Sequence, residues 1–124
     1  MGKPNPAIKQ FEVNLSAGDV LSFRIRANPT FRNREGRRVA IYGEDDLYAW
    51  LGRKGEQCGF DVLQVEMTQK QMVNDYYHRL KLWCIQFDGL LKVDDPVLLA
   101  KAVQSGIGSG KGFGFGLLSL ARAG

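Results

Sequence analysis

The single histidine, His78, is the one side chain whose ordinary pKa lies near neutrality. It stands beside Tyr76 and Tyr77 at the end of a polar stretch, and no Ser-His-Asp or Cys-His partner lies at a suggestive spacing. A lone histidine of this kind is more often a surface side chain than a general base. The carboxylates are better read as helix starters, with Asp45-Asp46 and Asp94-Asp95 each preceding a helical pattern. Cys58 and Cys84 stand apart without a CxxC pairing and read as small buried hydrophobes in a reducing compartment. Two cysteines and one histidine do not make a four-ligand zinc set, so no metal or other cofactor is expected.

Binding chemistry is better represented than catalytic chemistry. Arg24, Arg26, Arg32, Arg34, Arg37 and Arg38 fall within fifteen residues that hold one acid, Glu35, while the rest of the chain has eleven basic and twelve acidic residues. A basic segment on an otherwise neutral chain points to a phosphate-rich partner, although a solvated loop would carry the same charge. The run from Gly106 to Gly116 sets Gly106, Gly108, Gly110 and Gly112 around Lys111. Glycines at this density admit positive φ and let main-chain N–H groups approach a phosphate, with Lys111 as a point charge. A flexible helix-to-strand connection is the plainer alternative. The run is not a nucleotide loop, because it follows a helix and precedes a strand.

The elements that position these residues are legible from periodicity. Gln10 to Leu15 alternates strictly and predicts a short strand. Val20 to Ala27 predicts a second, with Leu21, Phe23, Ile25 and Ala27 on one face and Arg24 and Arg26 on the other. Asn28-Pro29 stops it, Arg32 to Arg38 reads as a loop or hairpin tip, and Val39 to Tyr42 as a short extended segment. A helix follows from Glu44 to about Glu56, closed by Gly55 or Gly59. Phe60 to Met67 reads as a strand, Thr68 to His78 as a polar connection, and Leu80 to Phe87 as a strand that Asp88-Gly89 bends towards Leu90–Val93. Asp94 or Asp95 caps a helix with Pro96 in its first position, ending near Gly106. A last strand runs roughly from Gly116 to Leu120. Leaving out the first short strand, the order is βαββαβ, an α+β, ferredoxin-like (RRM-like) sandwich in a single domain. That fold says little about function alone.

Length and composition agree with this reading. The chain has 124 residues, 44% hydrophobic and 24% charged, which suits one globular domain with its own core. No apolar run approaches the ~20 residues of a membrane helix. The opening Met1 to Pro6 lacks a signal-peptide pattern, so a cytoplasmic location is expected.

Several strings together resemble a known family. Phe23-Arg24-Ile25-Arg26-Ala27-Asn28-Pro29-Thr30, Arg37-Arg38-Val39, Ala49-Trp50-Leu51, Phe87 to Asp95 and the closing Gly106 to Leu120 are similar to the CasE family. These are the pre-crRNA endoribonucleases of type I-E CRISPR systems, and the resemblance runs from Phe11 onward. It implies two tandem ferredoxin-like domains, binding of the CRISPR repeat hairpin, metal-independent cleavage and retention of the product in the Cascade complex. It also implies that the chain matches the second domain, with residues 1–9 as linker and 10–124 as the C-terminal domain of a longer protein. The family's catalytic histidine and its tyrosine partner lie in the first domain, and His78 does not match them. The expected partners are therefore repeat RNA, other Cascade subunits and an N-terminal domain. The expected RNA contacts are the six arginines with Gly106, Gly108, Gly110, Lys111 and Gly112. Two classes of function remain: the binding half of an RNA-processing endonuclease, or a non-catalytic RNA-binding or scaffolding module. An RRM proper would need an aromatic RNP motif, which is absent.

Overall fold

The computed structural model describes residues 15–77, 79–108 and 115–122. The strand expected at Gln10 to Leu15 falls, except for Leu15, outside them, as does His78. The elements are β1 (Val20–Ala27), β2 (Thr30–Arg32), β3 (Arg38–Ala40), α1 (Glu44–Cys58), β4 (Phe60–Asp75), β5 (Leu80–Val93), α2 (Pro96–Ser105) and β6 (Leu118–Arg122). A four-stranded antiparallel sheet has the order β4-β5-β1-β6, and β2 and β3 form a separate two-stranded hairpin. Together with the two helices this is the ferredoxin-like arrangement expected from the sequence.

The alternation of β1 sorts its side chains as expected. Leu21, Phe23, Ile25 and Ala27 are buried, whereas Arg24 and Arg26 face outward. The buried face meets Leu47, Trp50 and Leu51 of α1 and Leu99, Ala102 and Val103 of α2, with Ile85, Phe87, Leu91 and Val93 from β5. The Trp50 and Phe87 rings lie nearly parallel, with centroids 6.2 Å apart. Each large side chain removed from water here contributes about 1.5–3 kcal/mol before conformational entropy is counted.

Local chemistry sets the helix ends. Glu44, Asp45 and Asp46 occupy the first turn of α1, where they complement the unpaired N–H groups. Gly59, with φ +82°, ends the helix in the left-handed conformation. The Asp95 side chain accepts hydrogen bonds from the Val97 and Leu98 N–H groups, with Pro96 first in α2.

Two expectations are corrected. The residues from Thr68 to Asp75 are not a loose connection but the outer half of β4, paired with β5 as far as Asp75 opposite Leu80. Register shifts between Val62 and Gln64 and between Met67 and Gln69 mark two bulges, each reversing the alternation. A two-residue period therefore runs through this strand in broken pieces. Nor does Gly89 bend β5, which is continuous from Leu80 to Val93. A Cβ at Gly89 would run into the Gln64 carbonyl oxygen, so glycine is there to admit the bulged partner strand.

Candidate nucleic-acid interface

The outward face of the sheet carries a hydrogen-bonded polar cluster at its centre. Arg24 Nε donates to Asp88 Oδ1 at 2.6 Å, across the β1–β5 pair that sets the two residues opposite each other. The Thr68 hydroxyl donates to Asp88 Oδ2 at 2.5 Å, and Gln86 Nε2 donates to both Thr68 Oγ1 and Asp88 Oδ2. Burial pushes the Asp88 carboxyl up, but these hydrogen bonds and the Arg24 charge outweigh it and hold it below its ordinary value. Arg24 thus offers less net positive charge than its type suggests, since a carboxylate sits against it. Arg26, next on the same face, directs Nη2 towards Cys84 Sγ at 3.6 Å.

The remaining four arginines gather on the β2–β3 hairpin. Its tip is shaped by Asn33, whose side-chain oxygen accepts from the N–H groups of Glu35 and Arg37, and by Gly36 at φ +79°. Arg32 Nη1 donates to the Gly36 carbonyl at 2.8 Å, and Arg38 Nη1 to Thr30 Oγ1 at 3.2 Å. These bonds orient two guanidinium groups without neutralising either. Arg34 and Arg37 are exposed at the turn. Four like charges on one small hairpin form a positively charged surface, whose own turn holds a single acid, Glu35.

The glycine-rich segment joins the same region through its root. The Gly116 N–H donates to the Arg26 carbonyl at 2.6 Å, and the Ile107 N–H to the Gly116 carbonyl at 2.9 Å. Both ends of the segment are therefore held at the end of β1 that leads into the arginine hairpin. Gly110, Lys111 and Gly112 lie outside the described residues. Gly106 and Gly108 have φ of +81° and +82°. A Cβ at Gly108 would lie 2.9 Å from Cζ2 of the buried Trp50, and Ile107 and Phe115 are themselves buried. Packing alone accounts for glycine at 108, apart from any approach to phosphate.

Three features of this surface carry little signal in the sequence. Asp88 has the look of a turn residue there, because its bonds to Arg24 and Thr68 join positions 64 and 20 apart. The β4–β5 ribbon, with Lys70, Arg79 and Lys81 exposed along it and Tyr76 and Tyr77 at its turn, is hidden because its outer half is mostly polar on both faces. Phe31 and Tyr42, exposed on β2 and just after β3, belong to segments too short to show which way a ring points. Among the described residues, no group of three or more His, Cys, Asp or Glu is placed to hold a metal ion. Among them also, no helix is long and apolar enough to cross a membrane.

Comparison with known proteins supplies the family. The model of a family described as CRISPR associated protein matches residues 4–122. The CRISPR-associated endoribonuclease Cse3 of Thermus thermophilus is 34% identical over 128 residues, covering 91% of this chain and 61% of that protein. The CRISPR system Cascade subunit CasE of Escherichia coli is 34% identical, with 91% and 63% covered. The chain thus spans about three fifths of the length of these relatives. Among solved structures, Cse3 bound to a 19-nucleotide RNA superposes with a TM-score of 0.83 at 36% identity, over 87% of this chain and 57% of that one. The Cas6e protein of Escherichia coli gives 0.71 at 33% identity, over 89% and 64%. A chain of a CRISPR RNA-guided surveillance complex gives 0.68 at 27% identity, over 89% and 62%. With a family model covering nearly its whole length and CasE-type relatives on both sequence and structure, the chain belongs to the CRISPR-associated protein family.

Proposed function

We propose that this chain is the RNA-holding, C-terminal half of a CasE-type pre-crRNA endoribonuclease, which grips the CRISPR repeat hairpin and stays with the processed RNA in a Cascade-type assembly. The observation that carries the reading is the four-arginine β2–β3 hairpin, tethered at the end of β1 beside the root of the glycine-rich segment. Its relatives named as Cse3 have been solved with RNA bound, which supports the same partner here. Phosphate contacts from arginine and main-chain N–H groups would fix the register of the RNA, and neither demands a general base. Metal-independent cleavage would need a histidine and a tyrosine from a preceding ferredoxin-like domain, residues 1–9 serving as the linker. A cytoplasmic site of action belongs to the same proposal.

The test is incubation of the 124-residue chain with a CRISPR repeat hairpin RNA, resolved on both native and denaturing gels. A shifted complex containing intact RNA is expected. Cleavage at one position without added metal, abolished by His78→Ala, would overturn the division of labour. A second reading, a non-catalytic scaffolding module that holds other subunits of an assembly, is favoured by the similarity to a surveillance-complex chain. With protein contacts alone it would give no shift at any salt concentration.

A further inference from the structure

At the root of the arginine hairpin a groove of about 270 Å³ is lined by Phe31, Ala40, Ile41, Tyr42, Asp46 and Arg53. Two of its walls are aromatic rings left open to water, Phe31 at 49% and Tyr42 at 60% exposure. The Tyr42 ring is held in place from behind. Its centroid lies 5.2 Å from that of Trp83, and Trp83 Nε1 donates to the Ile41 carbonyl at 2.8 Å, fixing the neighbouring backbone. Asp46 and Arg53 lie seven residues apart on α1, two turns along one side of the helix, and bring one charge of each sign to the groove. An exposed tyrosine ring braced by Trp83, a second exposed ring at Phe31 and the guanidinium of Arg53 in one groove are the combination that unstacked bases use, since every base has a π face and every nucleotide a phosphate.

We propose that this groove holds one unpaired nucleobase of the RNA strand flanking the hairpin stem. The base would stack on Phe31 and Tyr42, while Arg53 meets an adjoining phosphate. The Asp46 carboxylate can only accept, so it would take a hydrogen bond from an exocyclic amine of adenine, cytosine or guanine or from the ring N–H of guanine or uracil. Its negative charge turns phosphate away from the same spot, which orients the nucleotide base-inward. An aliphatic side chain of a protein partner would use the rings but would leave Asp46 and Arg53 without a role. The inference rests on the RNA-holding function proposed above.

Two RNAs with the same stem separate the two ideas, one blunt-ended and one with short single-stranded extensions carrying 2-aminopurine, whose fluorescence falls on stacking. The chain is expected to bind the extended RNA more tightly and to quench it. Tyr42→Leu and Phe31→Leu should each weaken binding of the extended RNA by about tenfold and restore the fluorescence. Both should leave the blunt hairpin unaffected, and Tyr42→Phe should keep the wild-type advantage. Thermal melts of each variant confirm that the fold is intact. Equal affinity for the two RNAs, or variants that weaken both alike, would overturn the base groove and leave RNA binding standing. Binding of neither RNA would overturn both.

Discussion

Replacing Gly108 by alanine tests whether packing against Trp50 demands glycine there. The residue has φ +82°, a region where a side chain costs about 1–2 kcal/mol. Its new Cβ would also stand 2.9 Å from Cζ2 of Trp50, a ring that is 3% exposed and packed against Phe87. Moving such a ring costs about 1–3 kcal/mol. The reduced freedom of the unfolded chain returns less than about 1 kcal/mol. The expected net loss is about 2–4 kcal/mol. Gly36→Ala supplies the control, because Gly36 has nearly the same φ, +79°, but no atom within 4 Å of its would-be Cβ. That variant should lose only the backbone strain less the same unfolded-state return, about 0–1.5 kcal/mol. Urea unfolding monitored by tryptophan fluorescence gives both values from the midpoint at constant slope. If Gly108→Ala is no more destabilised than Gly36→Ala, the packing of Trp50 against this backbone is wrong as described.

Three further outcomes follow from the same geometry. Gly89→Ala forces a Cβ onto the Gln64 carbonyl oxygen and should cost more than about 4 kcal/mol, read as a large fall in melting temperature or in folded yield. Asp95→Ala removes the cap of α2 and should cost about 0.5–2 kcal/mol by urea titration, with Asp95→Asn retaining most of the stability. Asp88 is held below its ordinary value when folded, so its contribution is present above its unfolded pKa and disappears as pH falls through the lower, folded value. Between about pH 5 and pH 2 the wild type should therefore lose more stability than Asp88→Asn. The difference should be small, because Arg24 is largely exposed.

Much of the fold is legible in the sequence because its signals are local. The alternation from Val20 to Ala27 places Arg24 and Arg26 on the outward face, and Asp95-Pro96 marks the start of α2 within one residue. The acids at 44–46 and Gly59 likewise bracket α1. What escapes is non-local. The outer half of β4 reaches past the core and is exposed on both faces, so it shows no hydrophobic alternation and reads as a connection. Gly89 and Gly108 carry familiar turn chemistry, but the atoms that demand glycine there, the Gln64 carbonyl oxygen and Trp50 Cζ2, come from other elements. For the interface, the basic segment is visible as composition, yet the balance of each arginine's charge is not. Arg24 meets Asp88 across 64 residues, whereas Arg34 and Arg37 stay at an exposed turn.

Whether the β2–β3 arginines hold an RNA phosphate backbone is decided by titrating the chain with a repeat hairpin RNA across a series of salt concentrations, for the wild type and for Arg34→Ala/Arg37→Ala. Both side chains are exposed at the turn, so the double variant should keep its fold. For each phosphate that the variant no longer neutralises, the slope of log K against log salt should flatten by about 0.7–0.9, with weaker binding throughout. An unchanged slope and affinity in the double variant, or wild-type binding that is indifferent to salt, would contradict an arginine-held backbone.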